Sequence, residues 1–308
     1  MIDFDRTMIG DSVRNAAFAR ALEKLILPGK STVTDIGAGT GILSFIASRK
    51  GARRCYAYDF SPVLKLAKVL AKENGIGNCT FIHKHTSEVR SPTKTDIVMT
   101  ETFGNFCYEE HLIENLNDAL RFVAPCGHIL PFSVTQWVQP IGNPRLFEEL
   151  CAWDRVGWHL TFTAAKRISL NNIYVKSVRS SDLLASCAPK QWDQIESGRK
   201  LESIRNGSAT WTMSSSSSCY GFCLWWEATL TENVTLSTSP AAPVTHWQQI
   251  YAPVLHPLEL QMGDTLRLDL ESDSRYRTGI NLVWNVVHER KGRNLARQEL
   301  TMRLGRMA

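Results

Sequence analysis

The sequence predicts an α/β fold in which a parallel, helix-covered sheet is followed by a second, mostly antiparallel β domain. Three observations predict it. Short apolar runs alternate with helical patterns over the first 131 residues, the pattern of βαβ units with right-handed crossovers. One such run, Val33 to Ile36, ends in the glycines Gly37, Gly39 and Gly41, spaced two apart, and passes directly into a helical pattern. From about residue 132 the composition shifts to β-branched and aromatic runs separated by turn formers. The expected division is 1–131 and 132–308.

Residues 8–27 carry apolar side chains at helical spacing, with Pro28-Gly29 as the stop. After the glycine turn, a helix is expected over 42–49, a strand over Arg54–Asp59 and a helix over 62–74 closed by Gly75. A third strand, Cys79 to Lys84, and a fourth, Thr95 to Thr100, follow, the fourth delivering Glu101 at its C-terminal end. A helix over 111–123 should stop at Pro125-Cys126-Gly127, and His128 should start a fifth strand. In such sheets ligands sit at the carboxyl ends of the strands, where the glycines, Asp59 and Glu101 all fall. Beyond 132, strands are expected at 134–138, 210–213, 220–230, 258–270 and 279–287, as a barrel or sandwich. A more helical insert interrupts them across about 145–200, and the serine run 214–218 reads as a loop.

The net charge of +5 arises from 35 basic and 30 acidic residues that are scattered rather than clustered, so no nucleic-acid partner is expected. No run approaches eighteen apolar residues and the N-terminus has no apolar signal core, so no membrane association and a cytoplasmic location are expected. The eight cysteines lack metal spacing; only Cys219 and Cys223 form a C-x3-C pair, and no matching pair follows. Buried free thiols, and no metal, are expected.

A glycine-rich turn by itself also fits nicotinamide and flavin enzymes. Here the spacing is G-x-G-x-G rather than G-x-G-x-x-G, and Asp35 stands two residues before the first glycine. Asp59 ends the next strand eighteen residues after Gly41, placed to accept two hydrogen bonds from a ribose diol. Together these resemble the S-adenosylmethionine site of class I methyltransferases. After the fourth strand come Glu101, a glycine-bearing turn, and Glu109 and Glu110 eight and nine residues on. Two carboxylates converging on one point would bind a planar cation with a fork of donors, which suits guanidinium. The segment 101–110 resembles the double-glutamate loop of the protein arginine methyltransferases. Leu236 to Pro240 followed by Thr245-His246-Trp247 is similar to that family's Thr-His-Trp loop, and Met8-x-x-Asp11-x-x-Arg14 to its cofactor-covering helix. Singly, Met8 and Trp247 are ordinary core residues, His246 a structural histidine and Glu110 a solvated helix start; their joint occurrence carries the resemblance. It covers about 8–141 and 220–270, and the insert by position and length.

The resemblance implies an S-adenosylmethionine-dependent enzyme with a Rossmann-like methyltransferase domain and a β-barrel interrupted by a helical dimerisation arm, assembled as a homodimer. It implies that Arg14 pairs with the cofactor carboxylate, that Asp35, Gly37, Gly39 and Gly41 shape the pocket, and that Asp59, followed by Phe60, holds the ribose where relatives commonly carry glutamate. Ser87 and Glu88, with Thr86, would lie at the adenine edge, and Met8 over cofactor and acceptor. Glu101 would be the first clamp, beside both cofactor and acceptor. The second is Glu110 counting forward from Glu101, or Glu109 counting back from the Pro125 turn; Glu110 is the one expected. Asp11 and His246 would pair beside the site and Trp247 pack on the glutamate loop. The implied reaction methylates a guanidino nitrogen of arginine, in a protein or as free L-arginine. Two departures stand out: the sequence begins seven residues before Met8, leaving Phe4 as the counterpart of a tyrosine-rich lid segment, and Thr102 replaces an aromatic residue. A methyltransferase acting on another small-molecule amine or guanidine is the alternative enzyme, and a degenerate binding scaffold the non-enzymatic one.

Overall fold

A computed structural model describes residues 2–275 and 279–306. The side chains of residues 2–5, and with them the Phe4 expectation, lie outside this description. The chain opens with α1 (Ile2–Ile9) and α2 (Ser12–Leu25), so the single helix expected over 8–27 is two. Gly10 N–H closes α1 on Arg6 O at 3.0 Å, and Asp11 then turns extended, with φ −73° and ψ 93°. Its carboxylate accepts from Arg14 N–H at 2.9 Å, capping α2. An N-cap aspartate satisfies an otherwise orphaned donor, which makes the break stable.

Next come β1 (Thr32–Ile36), α3 (Ile42–Arg49), β2 (Arg54–Asp59), α4 (Leu64–Glu73), β3 (Cys79–His83), β4 (Thr95–Thr100), α5 (Leu112–Ala119) and β5 (Val123–Leu130). The five strands form a parallel sheet in the order β3-β2-β1-β4-β5. The order reverses between β1 and β4, which opens a crevice at their carboxyl ends. β1 is buried along almost its whole length, as a central strand covered on both faces must be. α5 is shorter than expected, and Pro125-Cys126-Gly127 lies inside β5 instead of terminating a helix. β5 is an edge strand, where a proline removes no ladder bond, and Cys126 takes a left-handed kink at φ 62°.

The rest of the chain comprises β6 (Ser133–Ile141), α6 (Arg145–Leu150), α7 (Thr163–Leu170), β7 (Tyr174–Lys176), β8 (Lys190–Glu196), β9 (Ile204–Thr212), β10 (Ser217–Thr231), β11 (Val234–Ser237), β12 (Gln249–Leu260), β13 (Thr265–Asp273), β14 (Asn281–Arg290) and β15 (Arg293–Thr301). One antiparallel sheet runs β7-β12-β10-β6-β8 with β11 on β10, the other β15-β14-β13-β9. β8 meets β9 along one seam and β12 meets β15 along the other, giving a flattened barrel. The insert is helical only to Leu170 before it returns as β7 and β8. The run 258–270 is two strands, broken where the Asp264 carboxylate accepts from Gln261 N–H at 2.8 Å. Ser217 and Ser218 open β10 rather than ending a loop.

A single apolar core runs from α2 through the parallel sheet into the barrel, so the crevice and the barrel wall facing it are held by shared packing. All eight cysteines are free; Cys126, on the edge-strand kink, is exposed rather than buried, and Cys79 and Cys151 are half-buried. Among the described residues no helix is long and apolar enough to cross a membrane, and no cluster of His, Cys, Asp and Glu could hold a metal ion.

Candidate functional site

The crevice is a cleft of about 460 Å³ whose walls include Met8, Gly37, Gly39, Asp59, Phe60, Glu101 and Glu110. A larger cavity of about 760 Å³ lies between β5 and β10 and contains none of these groups. The glycine turn adopts left-handed backbone at Gly37, Gly39 and Gly41, with φ of 75°, 53° and 85°. A Cβ on Gly37 would meet Thr102 Cγ2 at 2.9 Å, and one on Gly41 the Phe45 ring at 2.9 Å. Gly39 N–H donates to Asp59 Oδ2 at 2.8 Å and Ser61 N–H to Oδ1 at 2.7 Å. Asp59 thereby locks the turn to the end of β2 while each oxygen keeps a second lone pair. Asp35 is buried beneath the turn, where it accepts from Ser44 Oγ at 2.7 Å. Burial pushes its carboxyl up to about 7.

The acidic end of the cleft is built on the strand-to-loop exit of β4. Arg14, buried, donates through Nε to Glu101 Oε2 at 2.8 Å and through Nη2 to the same oxygen. Glu110 faces the cleft with Glu101; Glu109 does not. Glu109 folds back over Gly104, where a Cβ would lie 2.8 Å from its Oε2. Glu110 opens to solvent at the cleft mouth, yet desolvation by the surrounding protein, then the charges of Glu101 and Glu109, push its carboxyl up to about 7. Behind them Asn115 donates to Thr102 Oγ1 at 3.0 Å.

The loop carrying these acids is pinned by its own carbonyls. Trp247 Nε1 donates to Phe103 O at 2.8 Å and Trp226 Nε1 to Gly104 O at 3.0 Å. Gln248 N–H donates to Asn105 Oδ1 at 2.8 Å. The Phe103 ring stacks on Trp226 at 4.7 Å, and Trp247 meets Trp226 edge-on at 5.0 Å. His246 donates to Asp11 Oδ2 through its backbone N–H at 2.9 Å and its Nδ1 at 2.7 Å. Burial alone would raise the Asp11 carboxyl, but the bonds from Arg14 and His246 outweigh it and hold the group below its usual range. Asp11 therefore joins α2, Arg14 and the Thr-His-Trp loop.

A family model described as the PRMT5 oligomerisation domain matches residues 133–293, more than half the chain. The chain belongs to the protein arginine methyltransferase family. A second model, of ribosomal protein L11 methyltransferase, matches 17–130. The histone-arginine methyltransferase CARMER of Drosophila ananassae is 26% identical over 286 residues, covering 88% of this chain and 54% of the relative. The chain thus spans about half the length of the curated relatives it matches. A Trypanosoma brucei PRMT1 enzyme-prozyme heterotetrameric complex with AdoHcy superposes with TM-score 0.87 at 22% identity, covering 98% of both chains. Arabidopsis thaliana Protein Arginine Methyltransferase 10 gives 0.81 at 19% identity, again over 98% of both. These two share the fold.

With the methyltransferase fold in place, Met8, Gly37, Gly39, Asp59, Phe60, Glu101 and Glu110 all reach the cleft. Arg14, Asp35, Asp11, His246 and Trp247 form a layer behind it, and Gly41 starts α3. Ser87 and Glu88 are exposed and stand outside the cleft wall, which is built one step earlier by Lys84, His85 and Thr86. The short 3-10 turn at Thr86–Glu88 rotates the two later side chains outward. Sequence reading passed over Asn115, Trp226 and Tyr108; the Trp225-Trp226 pair in a strand reads only as core, and nothing local marks the other two.

Proposed function

We propose that this protein is an arginine N-methyltransferase that moves a methyl group from S-adenosylmethionine to a guanidino nitrogen of arginine. One observation carries the reading: Glu101 and Glu110 share a cleft with the glycine turn and Asp59, and Glu101 already holds a guanidinium, that of Arg14. The residues suit the cofactor. Thr86 Oγ1 is buried in the cleft wall without a hydrogen-bond partner, and Asp59 keeps lone pairs for a diol. When bound, S-adenosylmethionine supplies an electrophilic sulfonium methyl. Both Arg14 donors converge on Glu101 Oε2, which leaves Oε1 for an incoming acceptor. Carboxylates on either side of a guanidinium localise its positive charge and aim one nitrogen, so the protein contributes alignment and electrostatic fit. Glu110, with its carboxyl near 7, suits a group that can take the proton once the methylated cation has formed.

The name of the CARMER relatives and the AdoHcy in the trypanosome complex support the reaction and the cofactor. A peptidyl arginine is the favoured acceptor and free L-arginine the second. Incubation with methyl-labelled cofactor and either Gly/Arg-rich peptide or free arginine is expected to yield methylarginine by mass spectrometry. No product from either substrate would sink the assignment.

We also propose a homodimer. The tip of the α6–α7 arm leaves Trp158 87% and Leu160 61% exposed, a costly pair of apolar surfaces for a lone chain. A groove of about 540 Å³ over α2, α3 and α4, walled by Ile42, Phe45, Ile46, Leu70 and Ile76, is the apolar face on which the arm of a second copy would sit. Trp158→Glu is expected to convert dimer to monomer in light scattering after size exclusion; an unchanged mass refutes this contact. The free thiols support a reducing, cytoplasmic compartment.

A further inference from the structure

The double-glutamate loop is held by two separate sets of anchors. Its first half, 103–105, hangs from Trp226 on β10 and from the Thr-His-Trp loop, as described above. Its second half is tied elsewhere, to the seam where β8 meets β9. Tyr108 is fully buried, and its hydroxyl donates to Asp193 Oδ2 at 2.8 Å. Arg205 on β9 holds the same carboxylate with two donors, Nε to Oδ2 at 3.0 Å and Nη2 to Oδ1 at 2.7 Å. Phe106 packs its ring against Tyr108 at 5.9 Å and Trp192 at 6.1 Å. The seam itself is tight: a Cβ on Gly207 of β9 would lie 1.7 Å from the Trp192 carbonyl oxygen of β8.

We propose that Tyr108, through Asp193 and Arg205, is the positioning residue that holds Glu110 in the cleft. This rests on the arginine methyltransferase reading only for its kinetic consequence. From Tyr108 the chain has two residues left: Glu109 turns back over Gly104 and Glu110 enters the cleft. The phenol fixes where that short segment starts. A hydrogen bond to a charged, buried acceptor is stronger than one between neutral groups. Asp193 keeps both Arg205 bonds without it, so removing the phenol oxygen strands no charge. Trp226 and Trp247 hold the Glu101 end of the loop, and the barrel seam holds the Glu110 end, where Asn115 Nδ2 also donates to Glu110 O at 3.4 Å.

The charged groups that face Glu110 are Glu109 and His111 on its own loop, Glu101 at the end of β4 with Arg14 behind it, Asp59 after β2, and Lys84 and His85 after β3. Around Tyr108 they are Asp193 and Arg205, with the Cys107 thiol adjacent. None of these groups changes in Tyr108→Phe. A change in Glu110 titration therefore reports a change in its placement.

The test uses the full chain labelled with carboxyl-13C glutamate, the Glu110 signal being assigned by its loss in Glu110→Gln. In the wild type this carboxyl should titrate near 7. In Tyr108→Phe it should move down toward the ordinary glutamate range, by about one pH unit. Acceptor kcat/KM should fall about tenfold through KM, with the cofactor Kd unchanged. Asp193→Asn, which keeps an oxygen to accept the phenol proton, should preserve the wild-type Glu110 titration. Asp193→Leu, which removes that oxygen and also strands the Arg205 guanidinium, should move it at least as far as Tyr108→Phe does. An unmoved Glu110 titration in Tyr108→Phe overturns the proposal, as does a loss of activity that comes from weakened cofactor binding. The titration needs no turnover, so it stands even where arginine is not methylated, an outcome that would fail the functional reading instead.

Discussion

Glu101→Gln is expected to abolish methyl transfer while the cofactor still binds. The carboxylate serves two guanidinium groups, Arg14 in the structure and the acceptor in the proposed reaction, and the substitution affects them differently. Towards Arg14 the glutamine keeps a carbonyl oxygen, so the buried guanidinium retains an acceptor and gains freedom to face an incoming carboxylate. Towards the acceptor it loses the negative charge that localises the cation. Removing one partner of a buried, hydrogen-bonded charge pair costs about 2–5 kcal/mol, or about 30-fold to 5,000-fold in rate if the loss falls on the transition state. Single-turnover transfer of labelled methyl, measured beside calorimetric binding of the cofactor, separates the two. Turnover equal to that of the wild type refutes the clamp, and lost cofactor binding moves its role to the cofactor side.

The second large effect is a pH limb that belongs to Glu110. Its carboxyl near 7 means that below neutrality the acid is protonated and neutral, so its attraction for a guanidinium is lost; above neutrality the charge is present. For the free enzyme kcat/KM should therefore rise through about 7. Glu110→Gln should remove that limb and lower kcat/KM by about 10–100-fold, the loss of one charge-assisted pair in a partly open site. Glu109→Gln should keep the limb, moved somewhat lower because one of the charges that raise Glu110 is gone, since that carboxylate itself folds over Gly104 and stands away from the cleft wall. Asp35 also sits near 7, so Asp35→Asn is the necessary control. It should keep the limb as well, since Asp35 lies under the glycine turn bonded to Ser44. A limb that survives in Glu110→Gln would assign the ionisation elsewhere.

Much of the crevice was legible in the sequence because its requirements are local. Gly37, Gly39 and Gly41 announce a left-handed turn, and a strand that ends in Asp59 or exits into Glu101 carries its own apolar pattern. The joint between α1 and α2 was missed although its two causes, Gly10 and an N-cap aspartate, stand side by side in the chain. The apolar periodicity runs across the break and hides it. β8 and β15 were missed for the opposite reason: KQWDQIE and RNLARQELT are polar on the face that meets water, too thin an alternation to register. Counting forward favours Glu110 and counting back Glu109, and neither count contains which way a two-residue segment turns after Tyr108. Tertiary anchors decide that direction, and Asp193 and Arg205 lie 85 and 97 positions along the chain.

The first half of the glutamate loop is suspended from two backbone carbonyls, Phe103 O and Gly104 O, each taken by an indole N–H of the barrel. Main-chain oxygens are the same for every amino acid. The side chain at position 102 takes no part in that suspension; its hydroxyl accepts from Asn115 instead. The shape of the cleft can be varied there with Glu101 still suspended, within the limits set by the Asn115 bond to the Thr102 hydroxyl and by the Gly37 backbone beside its methyl. For a laboratory seeking new acceptors, that position is the one to randomise first, with Trp226 and Trp247 left alone.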